Sequence, residues 1–254
     1  MRFLARLRRA LGARTVPVFD AVLAPATPLA VIGDVHGRAD LLFLMLDRLK
    51  REAPDHQVIL VGDYLDRGEE SQEVLEALRE QSGLVCLKGN HEAMCLEFLK
   101  DPERYGPRWL RNGGLQTLAS FGVGGVGQGT DAARLVAARD ALAESLGDNA
   151  ITWLQNLPLS WRSGNVAVVH AAADPELPIS LQSEQTLLWG HPNFDRVARQ
   201  DGVWIVHGHT IVDQARAEAG RIAVDTGAYA SGQLSAAIIE KGDLRIVEAR
   251  LYSS

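Results

Sequence analysis

Three short sequence blocks combine residue types that bind metal ions. They are GDVHG at Gly33–Gly37, GDYLDRG at Gly62–Gly68 and GNHE at Gly89–Glu92. Each block places aspartate, histidine or asparagine close behind a glycine. Carboxylate, imidazole and amide groups are ligands that hard or borderline divalent cations take in proteins. The blocks therefore predict a centre built around divalent metal ions.

The sequence around these blocks predicts a scaffold that brings them together. Each block follows a β-rich stretch, AVI before Gly33, VILV before Gly62 and LVCLK before Gly89. The segments ADLLFLMLDRLKRE, SQEVLEALREQ and HEAMCLEFLK repeat apolar residues at a spacing near 3.6 and predict helices. Alternating strands and helices indicate an α/β fold, in which ligands bind outside the carboxyl ends of the strands. Three strand ends are therefore expected to converge on one site.

The middle of the chain departs from this alternation. Residues 101–164 contain WLRNGG, a glycine-dense stretch at 121–129 and the helical segment DAARLVAARDALAESLG. We interpret them as a helical insertion or cap beside the site. Strands are expected again at NVAVVH, VWIVHG and RIAVDTG, followed by an antiparallel pair, LSAAIIE and LRIVEARL. Asp40 and Ser71 stand near helix starts, where short polar side chains cap free amides.

Length and composition are those of an ordinary globular protein. The 254 residues are 46% hydrophobic and 23% charged, and we expect one domain over residues 26–254 after a basic leader over residues 1–25. The net charge of −6 is uneven, because the first fourteen residues carry +5 and the other 240 therefore carry −11. An acidic body argues against a nucleic-acid-binding protein.

The leader MRFLARLRRALG intersperses apolar residues with arginine, a basic amphipathic pattern that could contact an anionic membrane or a partner. We favour the alternative, a frayed chain end. Arginines interrupt the segment too often for a secretory signal, and no run approaches the ~20 apolar residues of a spanning helix. Cys86 and Cys95 are the only cysteines, and we expect reduced thiols and a cytoplasmic location.

The three blocks, followed by VVHA, GHT and VDTGA, resemble the phosphoprotein phosphatase branch of the calcineurin-like metallophosphoesterases. They are similar in particular to its bacterial members, which include serine/threonine phosphatases and diadenosine polyphosphate hydrolases. The resemblance extends over about residues 29–234. It implies an α/β fold with a central β-sandwich flanked by helices, in the layer order α/β/β/α, and makes residues 26–254 the catalytic domain.

The resemblance also implies a set of metal ligands. Asp34, His36 and Asp63 would hold the first of two divalent metal ions, and Asp63 would bridge to the second. The remaining ligands of the second ion would be Asn90, His170 and His209. Mn²⁺ is the expected ion, with Fe or Zn as alternatives. A hydroxide bridging the two ions would attack phosphorus in line with the leaving group.

Three further residues of the blocks would act on the substrate. His91 would be the general acid that protonates the leaving alkoxide, and Asp66 would orient its imidazole. Arg67 would clamp the phosphoryl oxygens, because a planar guanidinium matches them in a bidentate way. Asn90 would also face the substrate.

The chain departs from the family pattern at several positions. Ile211 replaces the second histidine of a GHxH motif, which counts against pyrophosphohydrolases of that type. His191 stands where relatives carry a second phosphate-binding arginine, so the substrate is expected to meet His191 itself or Arg196 or Arg199. Ala172 replaces a glycine and would reshape the pocket floor. Between two nearby histidines, the family register favours His209 over His207 as the ligand.

The resemblance leaves the substrate open between two classes. The leading prediction is a phosphomonoesterase acting on phosphoserine or phosphothreonine in proteins or peptides, and the alternative is hydrolysis of a dinucleoside polyphosphate. A catalytically inactive phosphoprotein-binding scaffold is a third reading, but every expected ligand is present. The segment WLRNGG has two interpretations that remain equally open. Its glycine amides and Arg111 could lie near the substrate, or the segment could be a simple helix C-cap.

Overall fold

Two five-stranded mixed β-sheets form the centre of the protein. The computed structural model describes residues 19–251, so most of the basic leader lies outside the described residues. The strands are β1 Leu29–Ile32, β2 Gln57–Leu60, β3 Val85–Cys86, β4 Ser160–Ser163, β5 Val166–Val169, β6 Trp204–His207, β7 Arg216–Glu218, β8 Arg221–Ala223, β9 Gln233–Glu240 and β10 Asp243–Arg250. Their order is β10-β9-β1-β2-β3 in the first sheet and β4-β5-β6-β8-β7 in the second.

The alternation of side chains along the strands builds a core between the sheets. Leu29 and Val31 of β1 belong to the same buried cluster as Val166 of β5. Ala30, between them in sequence, points to the opposite face and packs with residues of the flanking helices. Ala167 likewise lies in a cluster on the outer face of the second sheet. This period of two yields the predicted sandwich flanked by helices, and the predicted fold class is confirmed.

Helices cover the outer faces of the sandwich. They are α1 Ala39–Glu52, α2 Ser71–Glu80, α3 Asn90–Lys100, α4 Pro102–Trp109, α5 Leu115–Ser120, α6 Ala132–Gln155, α7 Glu184–Trp189 and α8 Ala228–Ser231, with a π-helical turn at Leu110–Gly114 and a 3₁₀ turn at Ile179–Leu181. The first three coincide with the predicted helical segments to within one residue. The glycine-dense stretch at 121–129 forms turns and loop between α5 and α6.

The structure differs from the sequence-based expectation at short elements. Neither Asp40 nor Ser71 caps its helix, because Arg38 and Glu70 occupy the cap positions and no side-chain cap bond is made there. The edge strands β4 and β7 were not anticipated. β4 lies inside the range interpreted as an insertion and pairs antiparallel with β5.

The parallel arrangement decides where the loops meet. β1, β2 and β3 run parallel in the first sheet, and β5, β6 and β8 run parallel in the second. The carboxyl ends of parallel strands share one edge of a sheet, where ligands bind. Within residues 19–251, no helix has the length and apolar character needed to cross a membrane.

Candidate metal centre

The six predicted metal ligands follow strand ends at this shared edge. Asp34 and His36 come after β1, Asp63 after β2, Asn90 at the start of α3, His170 directly after β5 and His209 after β6. Two overlapping groups of side chains could each hold a metal ion, because the ligand nitrogen and oxygen atoms within each group lie within 4.8 Å of one another. The first group is His36, Asp63 and His91, and the second is Asp63, His170 and His209. Asp63 belongs to both groups and therefore stands between them.

The backbone at the site is held in an unusual conformation. Six described non-glycine residues have a positive φ angle, and five belong to the predicted site, namely His36, Asp63, Asp66, Arg67 and His209. Such angles cost about 1–2 kcal/mol per residue and cluster where surrounding structure fixes them for function. The loops after β1, β2 and β6 are thus shaped to direct these side chains.

The two oxygens of the Asp63 carboxylate face opposite sides of the site. Its Oδ2 lies 3.5 Å from His36 Nε2, and its Oδ1 lies 3.4 Å from His170 Nε2. A carboxylate with one oxygen toward each side can serve two cations. Burial raises the pKa of Asp63, but the neighbouring histidines outweigh it and hold the pKa below its usual range. Asp63 is therefore an anion.

Two of the histidines direct the ring nitrogen Nε2 into the site. His36 Nδ1 lies 2.7 Å from the Leu65 carbonyl oxygen, and His170 Nδ1 lies 3.1 Å from the Val61 carbonyl oxygen. A carbonyl only accepts, so each Nδ1 carries a proton. The Nε2 atom of His36 then faces Asp63, and that of His170 faces Asp63 and the amide oxygen of Asn90. Burial lowers the pKa of His36 to about 3 and of His170 to about 4. Both rings are neutral, the form that binds metal ions.

Asn90 joins the second group to α3. Its Oδ1 lies 2.8 Å from His170 Nε2 and 2.9 Å from His209 Nδ1. His207 lies apart from this set, because its Nδ1 is 3.1 Å from the Gly208 carbonyl oxygen and its ring packs against Phe194. The geometry therefore favours His209 over His207.

Buried acidic groups make the site suited to cations. Asp34 is 2% exposed, and its carboxylate accepts a hydrogen bond from the His209 backbone amide at 3.0 Å. Burial, with the nearby carboxylates of Asp225 and Asp63, raises its pKa well above the usual range. Carboxylates buried beside one another are ionised together only when a positive charge compensates them. Together with the neutral imidazoles, they form a donor set that fits two divalent ions.

His91 and Asp66 form a buried pair next to this donor set. His91 Nδ1 lies 2.6 Å from Asp66 Oδ2, whereas His91 Nε2 lies 3.9 Å from Asp63 Oδ2 and 3.2 Å from Arg67 Nη2. Burial lowers the pKa of His91, but the carboxylates of Asp63 and Asp66 outweigh it, so that the pKa is raised. A guanidinium only donates, so Nε2 accepts from Arg67 in this structure, and Asp66 orients the ring with Nε2 toward the site.

Comparison with known proteins identifies the family. The family model described as calcineurin-like phosphoesterase matches residues 27–213, well over half of the chain. The protein is a calcineurin-like phosphoesterase. Members of this family are hydrolytic enzymes that use divalent metal ions, which agrees with the buried donor set.

Relatives of this calcineurin-like phosphoesterase carry two kinds of name. Serine/threonine-protein phosphatase 2 of Escherichia coli (strain K12) is 30% identical over 81% of the chain and 89% of its own length. Bis(5'-nucleosyl)-tetraphosphatase PrpE [asymmetrical] of Bacillus velezensis is 25% identical over 81% of the chain and 86% of its own length. The crystal structure of a putative diadenosine tetraphosphatase shares the fold, with a TM-score of 0.62 and 21% identity over 91% of the chain and 99% of its own.

Three residues of this calcineurin-like phosphoesterase were predicted as a second phosphate contact, namely His191, Arg196 and Arg199, and they differ in their partners and exposure. His191 Nδ1 accepts from the Asn193 backbone amide at 3.3 Å, and His191 Nε2 lies 3.6 Å from Asp174 Oδ2. Arg199 is 7% exposed, and its guanidinium donates to Asp201 and to the backbone carbonyls of Asp174 and Leu177, in the segment before α7. Arg196 is exposed. Arg199 is therefore unavailable to a phosphate, and the roles of His191 and Arg196 stay predictions.

Two buried residues with contacts to the site, Glu92 and Thr117, have no role in the sequence interpretation, and a third, Trp109, enters it only as an aromatic residue that could line the site. Glu92 accepts hydrogen bonds from the backbone amides of Asp63, Tyr64, Leu65 and Gly89. Trp109 and Thr117 both donate to the Asp66 carboxylate. Glu92 could have been suspected, because a glutamate ending GNHE sits three residues into a helix. Trp109 and Thr117 are distant from Asp66 in sequence, and no local pattern marks their contacts with it.

Proposed function

We propose that this calcineurin-like phosphoesterase is a dinuclear-metal phosphomonoesterase that hydrolyses phosphoserine or phosphothreonine in proteins or peptides. The observation that carries the proposal is the 2.6 Å contact between His91 Nδ1 and Asp66 Oδ2. The alkoxide of serine or threonine is a strong base and departs readily only if it is protonated in the transition state. A nucleoside phosphate departs far more easily. A buried, carboxylate-paired general acid therefore serves a phosphomonoester best.

The ligand set supports binding of two divalent cations. We assign Asp34, His36 and Asp63 to one ion, and Asp63 with Asn90, His170 and His209 to the other. Mn²⁺ suits these oxygen and nitrogen donors, and Fe or Zn would also be accepted. When bound, the two cations supply an activated water for attack on phosphorus and neutralise charge on the phosphoryl group.

Arg67 is the proposed phosphate contact. It is partly buried, its guanidinium lies 4.9 Å from the centre of the Tyr229 ring, and its Nη2 lies 3.2 Å from His91 Nε2. Stacking on Tyr229 limits the movement of the guanidinium, so its two parallel N–H groups can remain directed at phosphoryl oxygens. A phosphate held there would take over the hydrogen bond that Arg67 now gives to His91 Nε2, which would leave Nε2 able to carry the proton for the leaving group. Asn90, and His191 or Arg196 from the loop after α7, complete the proposed substrate contacts.

Dinucleoside polyphosphate hydrolysis is the second candidate. It is favoured by the likeness over 81% of the chain to the protein named bis(5'-nucleosyl)-tetraphosphatase. A stacked pair also lies at the end of α7, just before His191, where the Arg108 guanidinium is 4.3 Å from the centre of the Trp189 ring. This pair could receive a base.

Parallel kinetics separate the two candidates. With Mn²⁺ present, the proposal predicts that kcat/KM on a phosphoserine or phosphothreonine peptide exceeds that on diadenosine tetraphosphate by at least about tenfold, or ~1.4 kcal/mol of transition-state stabilisation. p-Nitrophenyl phosphate serves as the reference monoester. Asp63→Asn, purified in the same way, shows whether the activity belongs to this site. A preference for the dinucleotide would overturn the leading proposal in favour of the second candidate.

A further inference from the structure

Residues 109–117, here called the clamp segment, enclose the side chain of Asp66. They comprise the last residue of α4, the π-helical turn and the start of α5. Trp109 Nε1 lies 2.9 Å from Asp66 Oδ2 and 3.1 Å from Oδ1, and Thr117 Oγ1 donates to Oδ1 at 2.6 Å. Asp66 and Trp109 are fully buried, and Thr117 is 1% exposed. The carboxylate therefore has protein donors, not water, around both oxygens.

The same threonine also fixes the backbone of Asp66. The amide of Asp66 donates to Thr117 Oγ1 at 2.9 Å and to Ser71 Oγ at 3.2 Å. Asp66 has a φ of 68°, in the left-handed region that a residue other than glycine seldom adopts. One hydroxyl thus accepts from the main chain and donates to the side chain of a single residue. Loss of that hydroxyl would remove one hydrogen bond from the backbone of Asp66 and one from its side chain.

The turn of the clamp segment extends the contact to Arg67. The amide of Arg67 donates to the Gly113 carbonyl at 3.3 Å. Gly113 has a φ of 108°, and a methyl group there would lie 2.5 Å from the Arg67 nitrogen. Only glycine permits this approach. Asn112, by contrast, donates to the Arg108 carbonyl one turn back and does not enter the site.

We infer that Trp109 and Thr117 are positioning residues for proton transfer: they hold the Asp66 carboxylate so that its Oδ2 orients the imidazole of His91 toward the leaving group. The inference rests on the proposed function, since it assigns His91 as the general acid. It makes the clamp segment a part of the active site. Neither residue touches the substrate, and each acts through Asp66.

The inference predicts an effect that depends on the leaving group. Misorientation of His91 slows reactions whose leaving group needs a proton, such as release of serine from a phosphopeptide. It has little effect on p-nitrophenyl phosphate, whose phenolate departs unprotonated. For Thr117→Val and Trp109→Phe we expect kcat on the phosphopeptide to fall about tenfold, part of the ~10²–10⁴ that general acid catalysis contributes. On p-nitrophenyl phosphate it should fall less than about threefold, with KM unchanged on both substrates.

Matched variants separate this effect from simple structural damage. Thr117→Ser keeps the hydroxyl and should restore the phosphopeptide rate. Thr186→Val removes a hydroxyl that is also buried but bonds to Ser183, and Trp204→Phe removes an indole that donates to the Ala21 carbonyl. Both controls should leave the ratio of the two rates unchanged. Equal losses on both substrates in Thr117→Val and Trp109→Phe, or no loss on either, would overturn the inference.

A spectroscopic measurement tests the clamp without catalysis. The indole N–H resonance of Trp109, assigned by its loss in Trp109→Phe, should shift upfield and exchange faster with solvent in Asp66→Asn, whereas the Trp204 indole resonance should not move. An unmoved Trp109 resonance would overturn the inference. Wild-type protein inactive on both substrates would refute the proposed function, whereas the indole resonance tests the contact between Trp109 and Asp66 independently of activity.

Discussion

The side chain of Glu92 is expected to be a main stabilising element of the loop that carries Asp63. It is fully buried, and its carboxylate accepts four backbone amide bonds. Oε2 accepts from Asp63 and Gly89, each at 2.8 Å, and Oε1 accepts from Tyr64 at 2.7 Å and Leu65 at 3.3 Å. The carboxylate thus connects the end of β2 to the start of α3.

The substitution Glu92→Gln keeps the size of the side chain but removes half of its acceptor capacity. In either amide orientation an NH₂ group faces two backbone N–H donors, so two of the four bonds are lost. Burial and the nearby Asp63 carboxylate raise the pKa of Glu92 to about 7, so unfolding is measured at about pH 8.5, where the carboxylate is ionised and a hydrogen bond to it contributes ~1.5 kcal/mol or more. The two lost bonds cost about 3 kcal/mol, and removal of a charge buried beside Asp63 offsets part of this cost. We therefore expect the free energy of unfolding to fall by about 2 kcal/mol, which is a large fraction of a typical domain's stability.

Urea unfolding followed by circular dichroism measures this change. Protein and buffer should be metal-free, because bound metal would stabilise the native state by mass action and mix the two effects. Glu97→Gln is the matched control, because this substitution removes the same charge from the same helix at a residue that is only partly buried. A Glu92→Gln variant within about 1 kcal/mol of Glu97→Gln would refute the reasoning.

Two further predictions concern packing and the thiols. Gly89→Ala would place a methyl group 2.1 Å from Asp63 Oδ1 and 2.4 Å from the Asp63 backbone nitrogen, and overpacking of this kind costs ~1–3 kcal/mol. Mn²⁺ affinity, measured by calorimetry, should therefore fall at least about tenfold. Unchanged affinity would contradict the site geometry. Burial raises the pKa of the Cys86 thiol to about 12. Its thiolate fraction at pH 8 is therefore ~10⁻⁴ and rises about tenfold by pH 9, against about threefold for an ordinary thiol of pKa ~8.5. Ellman's reagent should show this slow rate and steep slope in a Cys95→Ala background, and a threefold slope would exclude the raised pKa.

The sequence was sufficient for those parts of the protein that have local patterns. The parallel strands β1 to β3 are short, mostly apolar runs that a glycine follows within three residues, and the helices between them have clear 3.6-residue spacing. Because parallel strands end at one edge, the convergence of Asp34, Asp63 and Asn90 followed from order alone. The family likeness added His170 and His209, which the second sheet brings to the same edge.

Other features depend on contacts that local patterns do not encode. Thr117 reaches Asp66 across 51 positions and Trp109 across 43, so neither role is visible in the segment itself. Ser71 resembles a helix cap, but its hydroxyl bonds to Asp66 and Thr117 instead, since buried groups near the site offered better partners. β7 has three exposed residues without apolar alternation, and only its pairing with β8 makes it a strand.

The central proposal is that Asp63 bridges two divalent cations at the shared edge of the sheets. Its most direct test is the metal stoichiometry of the purified chain and of Asp63→Asn, measured by Mn²⁺ titration of metal-free protein and by elemental analysis after dialysis. We predict two ions per chain in the wild type and no more than one, bound more weakly, in Asp63→Asn. Two ions of unchanged affinity in Asp63→Asn, or fewer than two in the wild type, would contradict the proposal.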